Sequence, residues 1–252
     1  MYSRRVGGKV CSFEASGGLI HGSLVMQDRE TNTYWELMKS VGIAGPLRGK
    51  HLKKLPAVKT QWRDWLKSHP KTVILSVNGR EDSLRDPYAN YVKSSKGFRG
   101  LEAADDRLAT KASLLALTLG KRHVAVPHEH LVGGAVFSLG GSESLFAHRP
   151  EGASLFRSTR AFLSRGAISR KRGTWVHLPS GAQFDPTREV WVKGRGELPR
   201  AVTGFDTFWV TWSLAHPETL VLTPKGVLQA PKRAKPVPPT TRPAPSKELR
   251  WF

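Results

Sequence analysis

Near the start of the chain, apolar and polar positions alternate. Cys11, Phe13 and Ala15 interleave with Ser12 and Glu14, the two-residue period of a half-buried strand. Gly17-Gly18 predicts a break, after which Leu19-Ile20 and Leu24-Val25-Met26 continue as a second strand. A polar turn over residues 28–33 leads to Tyr34-Trp35 on a further strand, and residues 42–49 form a glycine-punctuated connection. The period then changes. Trp62, Trp65, Leu66 and His69 fall at i, i+3, i+4 and i+7, which places them on one helical face. Thr60 stands where a hydroxyl can cap the first turn. Pro70 disfavours helical geometry at His69 and ends the helix there. Thr72-Val73-Ile74-Leu75 reads as the strand that follows. Further on, residues 114–119, 124–126, 135–139, 145–147, 161–163 and 175–178 read as short strands divided by turns.

The helical segment recurs. Thr60, Trp62, Trp65, His69, Pro70, Thr72 and Leu75 reappear as Thr207, Trp209, Trp212, His216, Pro217, Thr219 and Leu222, at a constant offset of 147 without a gap. Trp and His are rare, so agreement at this spacing points to two diverged copies of one unit. The predicted fold is α+β and predominantly β. It has two diverged structural repeats, each with strands followed by a short Trp-bearing helix and a final strand. The units fall at residues 1–77 and 108–229, joined by a polar connector over 78–107.

Composition sets bounds on this picture. The chain has 252 residues and 39% hydrophobic content, enough for cores of useful size. No apolar run approaches the roughly 18 residues of a membrane-spanning helix. Residues 1–8 carry Arg4 and Arg5 with no apolar stretch behind them, so no secretory signal is read and the sequence as written is cytoplasmic. Cys11 is the sole cysteine, which excludes an intrachain disulfide framework. The net charge is +20, a field that attracts polyanions such as nucleic acid. Residues 230–252 hold six Lys/Arg, one acid and six prolines, and read as a disordered, basic, Pro-rich tail. Its terminal Trp251-Phe252 offers a contact for a protein partner.

Candidate chemistry is sparse. Asp28-Arg29, Arg85-Asp86 with Tyr88, and Asp106-Arg107 form a set of Arg/Asp/Tyr loops that would make a ligand site if they converged. His128 and His130 flank Glu129 on a predicted strand and make a partial metal pair, without the two-residue spacing of a helical zinc motif. The serines beside glycine pairs, Ser16 and Ser142, lack the strand–elbow–helix setting of a nucleophile. Cys11 has no histidine at a defined spacing and reads as an inert buried thiol. The repeated histidine, at a helix C-terminus beside tryptophan, reads as structural. No cofactor is indicated.

Several strings together resemble a known family. Arg5-Val-Gly-Gly-Lys9, Phe13-Glu-Ala-Ser16-Gly17 and Leu24-Val25-Met26-Gln-Asp28-Arg29-Glu30-Thr31 occur in order. They are followed by Ala44-Gly45-Pro46-Leu47, the Trp helix ending His69-Pro70, Arg85-Asp86-Pro87-Tyr88 and Asp105-Asp106-Arg107-Leu108. Over roughly residues 4–223 this pattern is similar to the bacterial domain of unknown function 3179, with the chain an N-terminally shortened or diverged member. The resemblance implies no activity. It implies export or membrane anchoring for many members, and a Cys-Pro-x-Cys-like motif upstream that this sequence does not contain. The leading functional reading is a non-catalytic binding or scaffold module. The alternatives are polyanion binding through a basic surface, and an enzyme of unknown reaction using the Arg/Asp/Tyr loops.

Overall fold

A computed structural model describes residues 1–74, 88–152, 157 and 159–230. It is α+β and predominantly β. Strands β1 (Arg5–Val6) and β2 (Lys9–Val10) form a short hairpin. Strands β3 (Phe13–Ile20), β4 (Ser23–Asp28), β5 (Tyr34–Glu36) and β6 (Val41–Ala44) follow as an antiparallel meander in chain order. Helices α1 (Trp62–Ser68) and α2 (Ala89–Lys93) come next. The following strands are β7 (Ser113–Leu119), β8 (Arg122–Pro127), β9 (Ala135–Gly140), β10 (Glu143–His148) and β11 (Arg160–Arg165). A second meander is built from β12 (Ile168–Lys171), β13 (Thr174–His177), β14 (Ala182–Asp185) and β15 (Val190–Trp191). Strands β16 (Arg200–Val202) and β17 (Phe205–Phe208) lead into helix α3 (Trp209–Ala215), and β18 (Leu220–Thr223) and β19 (Gly226–Leu228) end the described chain. No helix among the described residues is long and apolar enough to cross a membrane.

The larger part of the molecule is a stack of layers. One sheet runs β17-β7-β8-β18-β19, with β18 parallel to β8. The next runs β16-β11-β10-β9, and the second meander lies beyond it. Strand β7 explains why the layers stack. Its Leu114 and Ala116 face Trp209 and Trp212 of α3, while Leu115, Leu117 and Leu119 face Phe137, Leu145 and Ala161 of the neighbouring sheet. A strand covered on both faces reads as a near-continuous apolar run, which is what residues 114–119 show. Strand β10 repeats the arrangement. Leu145 and Ala147 face the β7 sheet, and Phe146 turns to Phe162, Phe184 and Trp191 of the outer aromatic core. The first meander has its own core of Val6, Cys11, Trp35 and Leu52. It meets α3 through Met38, which packs on the Trp209–Trp212 cluster.

The two Trp helices share local geometry and differ in surroundings. His69 N–H donates to the Trp65 carbonyl at 2.9 Å, and His216 N–H to the Trp212 carbonyl at 2.8 Å. Thr72 N–H reaches the His69 carbonyl and Thr219 N–H the His216 carbonyl, each at 3.1 Å. In both copies the imidazole lies against the second tryptophan, with centroids 3.9 and 4.2 Å apart. Yet α3 is buried throughout, whereas Trp62 of α1 is 44% exposed.

Several expectations are corrected. The predicted threonine caps do not form: Gln61 and Phe208 hold the N-cap positions, neither with a side-chain cap. Thr207 instead lies in β17, paired with Leu114, because the strand runs directly into the helix. Residues 72–74 carry no strand: Val73 is 89% exposed, and among the described residues no strand pairs with this stretch. The expected Leu75 strand end lies outside the described residues. Gly17-Gly18 does not break the first strand. Gly17, at φ +75°, lets β3 shift register between Ala15 and Leu19 and continue to Ile20. His128–His130 forms a short 3-10 turn instead of a strand. The tail from residue 231 onward lies outside the described residues.

Candidate functional site

A cleft of about 300 Å³ opens where the end of β10 meets the second meander. His148, the last residue of β10, lines it together with the aromatic rings of Trp175 from β13 and Phe184 from β14. Arg170 from β12 and Glu151 bring one charge of each sign. Strand alternation selects this face: in β10, Phe146 and His148 point to the aromatic core, and Leu145 and Ala147 point the other way.

Trp175 is held firmly. Its indole N–H donates to the Gly133 carbonyl at 2.8 Å, and its ring meets Phe146 edge-on at 5.2 Å. Gly134 makes room for it. At φ +101° the backbone favours glycine, and a Cβ there would lie 2.6 Å from the Trp175 Nε1. Arg170 stands 5.9 Å from the Trp175 ring, and its Nε donates to the Gly173 carbonyl at 3.4 Å.

His148 is 4% exposed, and among the described residues its Nδ1 has no hydrogen-bond partner. Burial, reinforced by the charges of Arg157 and Arg170, pushes the imidazole down to about 4, so it is neutral near pH 7. A buried polar atom without a partner costs stability. The Nδ1 atom itself is covered, so a ligand in the cleft gains the bond the protein lacks only when a neighbouring side chain moves aside. Neighbouring Arg157 approaches Glu189 at 3.1 Å and Asp64 at 3.7 Å, so it ties α1 to the second meander.

A separate polar network links β17, the turn after β8 and the chain entering β11. Asp206 accepts from the Thr159 amide at 3.0 Å and its hydroxyl at 2.7 Å, and lies 2.7 Å from His128 Nε2. Burial pushes the Asp206 carboxyl up, but the His128 and Thr159 bonds outweigh it and hold the group below the ordinary range. This network joins β17 to the chain entering β11 and leaves its acceptors occupied.

The residues expected to form a site are placed as follows. Asp28 is fully buried, accepting from Thr31 N–H at 2.6 Å, the Thr31 hydroxyl at 2.7 Å and the Trp35 indole at 2.8 Å. Burial raises its carboxyl, and these bonds bring it below the ordinary value. Arg29 pairs with Glu14 at 2.6 Å. Arg107 pairs with Asp105 at 2.7 Å, donates to the Leu228 carbonyl at 3.0 Å and lies over the Trp209 ring. Asp106 is exposed beside it, and Tyr88 is exposed at the start of α2. Arg85 and Asp86 lie outside the described residues. Asp28 and Arg29 thus serve the first meander, and Arg107 the edge near α3. Of the suggested metal pair, His128 is engaged by Asp206, and His130 lies 3.8 Å from Glu129.

Sequence reasoning missed the cleft. Its one signal was a histidine closing the apolar run Leu145-Phe146-Ala147, and a lone histidine there has no partner at fixed spacing to announce a role. Arg170, Trp175 and Phe184 come together only through sheet packing.

Fold and cleft together define a layered β-sheet protein with a small aromatic-walled recess. The chain belongs to the family described as Protein of unknown function (DUF3179), whose model matches residues 1–219. No curated protein and no solved structure matches it.

Proposed function

We propose that the protein is a non-catalytic binding module and that the His148 cleft is its ligand site. One observation carries this reading: a cleft lined by Trp175, Phe184 and Arg170 together with His148, whose buried imidazole keeps an unpartnered nitrogen. Aromatic walls with a few placed polar groups are the usual make-up of a small-molecule site. The fitting ligand has a flat apolar body for the rings and an anionic group for Arg170. Binding is favoured over catalysis because the acid–imidazole pair Asp206 and His128 does not line the cleft and is engaged with Thr159.

The test is chemical-shift perturbation on the full-length protein with small aromatic carboxylates such as benzoate and indole-3-acetate. Saturable shifts should centre on His148 and Trp175. Arg170→Ala and Trp175→Phe should each weaken binding by about tenfold, the cost of one charge-assisted bond or wall contact. Shifts elsewhere on the molecule, or affinity unchanged in both variants, would refute the assignment.

A further inference from the structure

A second cluster lies where α3 meets the first meander. His216 caps α3, His123 begins to climb β8, and Glu218 follows the Pro217 turn. The two imidazoles face one another with centroids 3.8 Å apart and planes 24° from parallel. Glu218 Oε1 lies 3.4 Å from His123 Nε2 and 3.9 Å from His216 Nδ1. All three ligand-type atoms fall within 4.8 Å of one another.

The outer hydrogen bonds select which nitrogens look inward. His216 Nε2 lies 3.3 Å from the Met38 carbonyl, which can only accept, so the proton sits on Nε2. In the neutral ring Nδ1 is then a lone pair, and it faces a carboxylate oxygen. Two acceptors turned toward each other at 3.9 Å leave a place for a cation or for a water that donates to both. His123 Nδ1 is taken by the Thr118 hydroxyl at 3.3 Å, which leaves its Nε2 on the same side. An imidazole whose outer nitrogen is fixed by a carbonyl or hydroxyl is the usual supporting arrangement for a metal-binding histidine.

The repeat adds a second, independent observation. The first copy has the same histidine stacked on the same tryptophan, His69 on Trp65, so packing alone accounts for the histidine. At the position of Glu218, however, the first copy carries Lys71. Only the second copy joins the histidine to a carboxylate and to a second imidazole.

We infer that His123, His216 and Glu218 form a site for one divalent transition metal of the zinc class, with two imidazole nitrogens and one carboxylate oxygen. Ligands about 2.0–2.1 Å from a tetrahedral zinc stand about 3.4 Å apart, close to the His123–Glu218 separation. Glu218, 61% exposed, is free to swing the remaining half ångström toward His216. Binding also requires the stacked rings to tilt apart so that both lone pairs converge. A fourth position stays open to water on the Glu218 side. Zinc suits this donor set because it accepts mixed imidazole and carboxylate ligands without a rigid geometry.

The metal-free full-length protein should be titrated calorimetrically with Zn²⁺, and with Co²⁺ while its visible absorption is followed. One ion per chain should bind, and Co²⁺ should give the intense bands of a four- or five-coordinate centre. His216→Ala removes a buried ring and risks unfolding, so the informative variants are Glu218→Gln and His123→Gln. Each should weaken Zn²⁺ by about tenfold or more, while His130→Gln, away from the cluster, should leave affinity unchanged. No binding at tens of micromolar Zn²⁺, or binding insensitive to both cluster variants, would overturn the proposal and leave the cluster a metal-free stack of imidazoles.

Discussion

The interior of this protein holds several histidines, and their protonation ties stability to pH. His148 is the clearest case, because Arg157 and Arg170 add repulsion to its burial. Its folded value is about 4, against about 6.5 in an unfolded chain. Between those values the unfolded chain binds the extra proton and the folded one does not. The stability tied to a neutral His148 is therefore complete above about pH 6.5 and lost as pH falls toward 4. The loss is on the order of 2–3 kcal/mol. Urea denaturation at a series of pH values should show this decline, and His148→Gln should flatten it. Equal pH slopes for the two proteins would mean that His148 is protonated without penalty.

At the scale of elements, the two Trp helices give an internal control. They share capping bonds and ring contacts, but α3 is sandwiched between the β7 sheet and the first meander. Trp209 is 0% exposed, packs on Leu114, Ala116 and Val221, and donates its indole N–H to the Asp105 carbonyl at 2.8 Å. Truncation should leave a cavity and an orphaned carbonyl, so Trp209→Ala should cost about 3–5 kcal/mol. Trp62 has nearly half its surface in water, and Trp62→Ala should cost no more than about 1 kcal/mol. Comparing the two by chemical denaturation separates their roles. Equal losses would show that α1 is as firmly packed as α3. The helical period and proline stops were legible in both segments. The contrast in burial was legible in outline as well, since α1 carries Arg63, Asp64 and Lys67 where α3 has Val210, Thr211 and Leu214; which sheet covers α3 was not, because that partner lies far off in the chain.

For the molecule as a whole, the charge of +20 is the leading physical property left without an assigned purpose. Residues 230–252 contribute five of the twenty, so most of the field belongs to residues 1–229. We propose a polyanion-binding role for this charge as a reading separate from the cleft. If the charge is used that way, the chain without residues 230–252 should still bind duplex DNA or heparin without sequence preference. Its log–log salt dependence should be steep, about −0.9 per phosphate contacted. Filter binding or fluorescence anisotropy across a salt series reads this directly. Binding that disappears with the tail would make the tail a tether, and no binding near physiological ionic strength would leave the charge as a solvated surface.

What the sequence determined by itself was local. Two-residue alternation located many of the strands, although Gly17-Gly18 proved to be a bulge. The proline after each repeated histidine marked the helix ends, and uncommon strings such as Asp28–Thr31 marked the family, all features written in residues a few positions apart. Even the buried role of Asp28 is short-range, because Thr31 and Trp35 lie within a single turn of it. Tertiary structure decided everything that depends on residues far apart in the chain. His128 meets Asp206 across 78 positions, Trp175 meets Gly133 across 42, and His216 meets Met38 across 178. The cleft and the imidazole pair are built from such meetings. A side chain's chemistry at either place is set by which sheet packs over it, and periodicity along one strand carries no information about that partner.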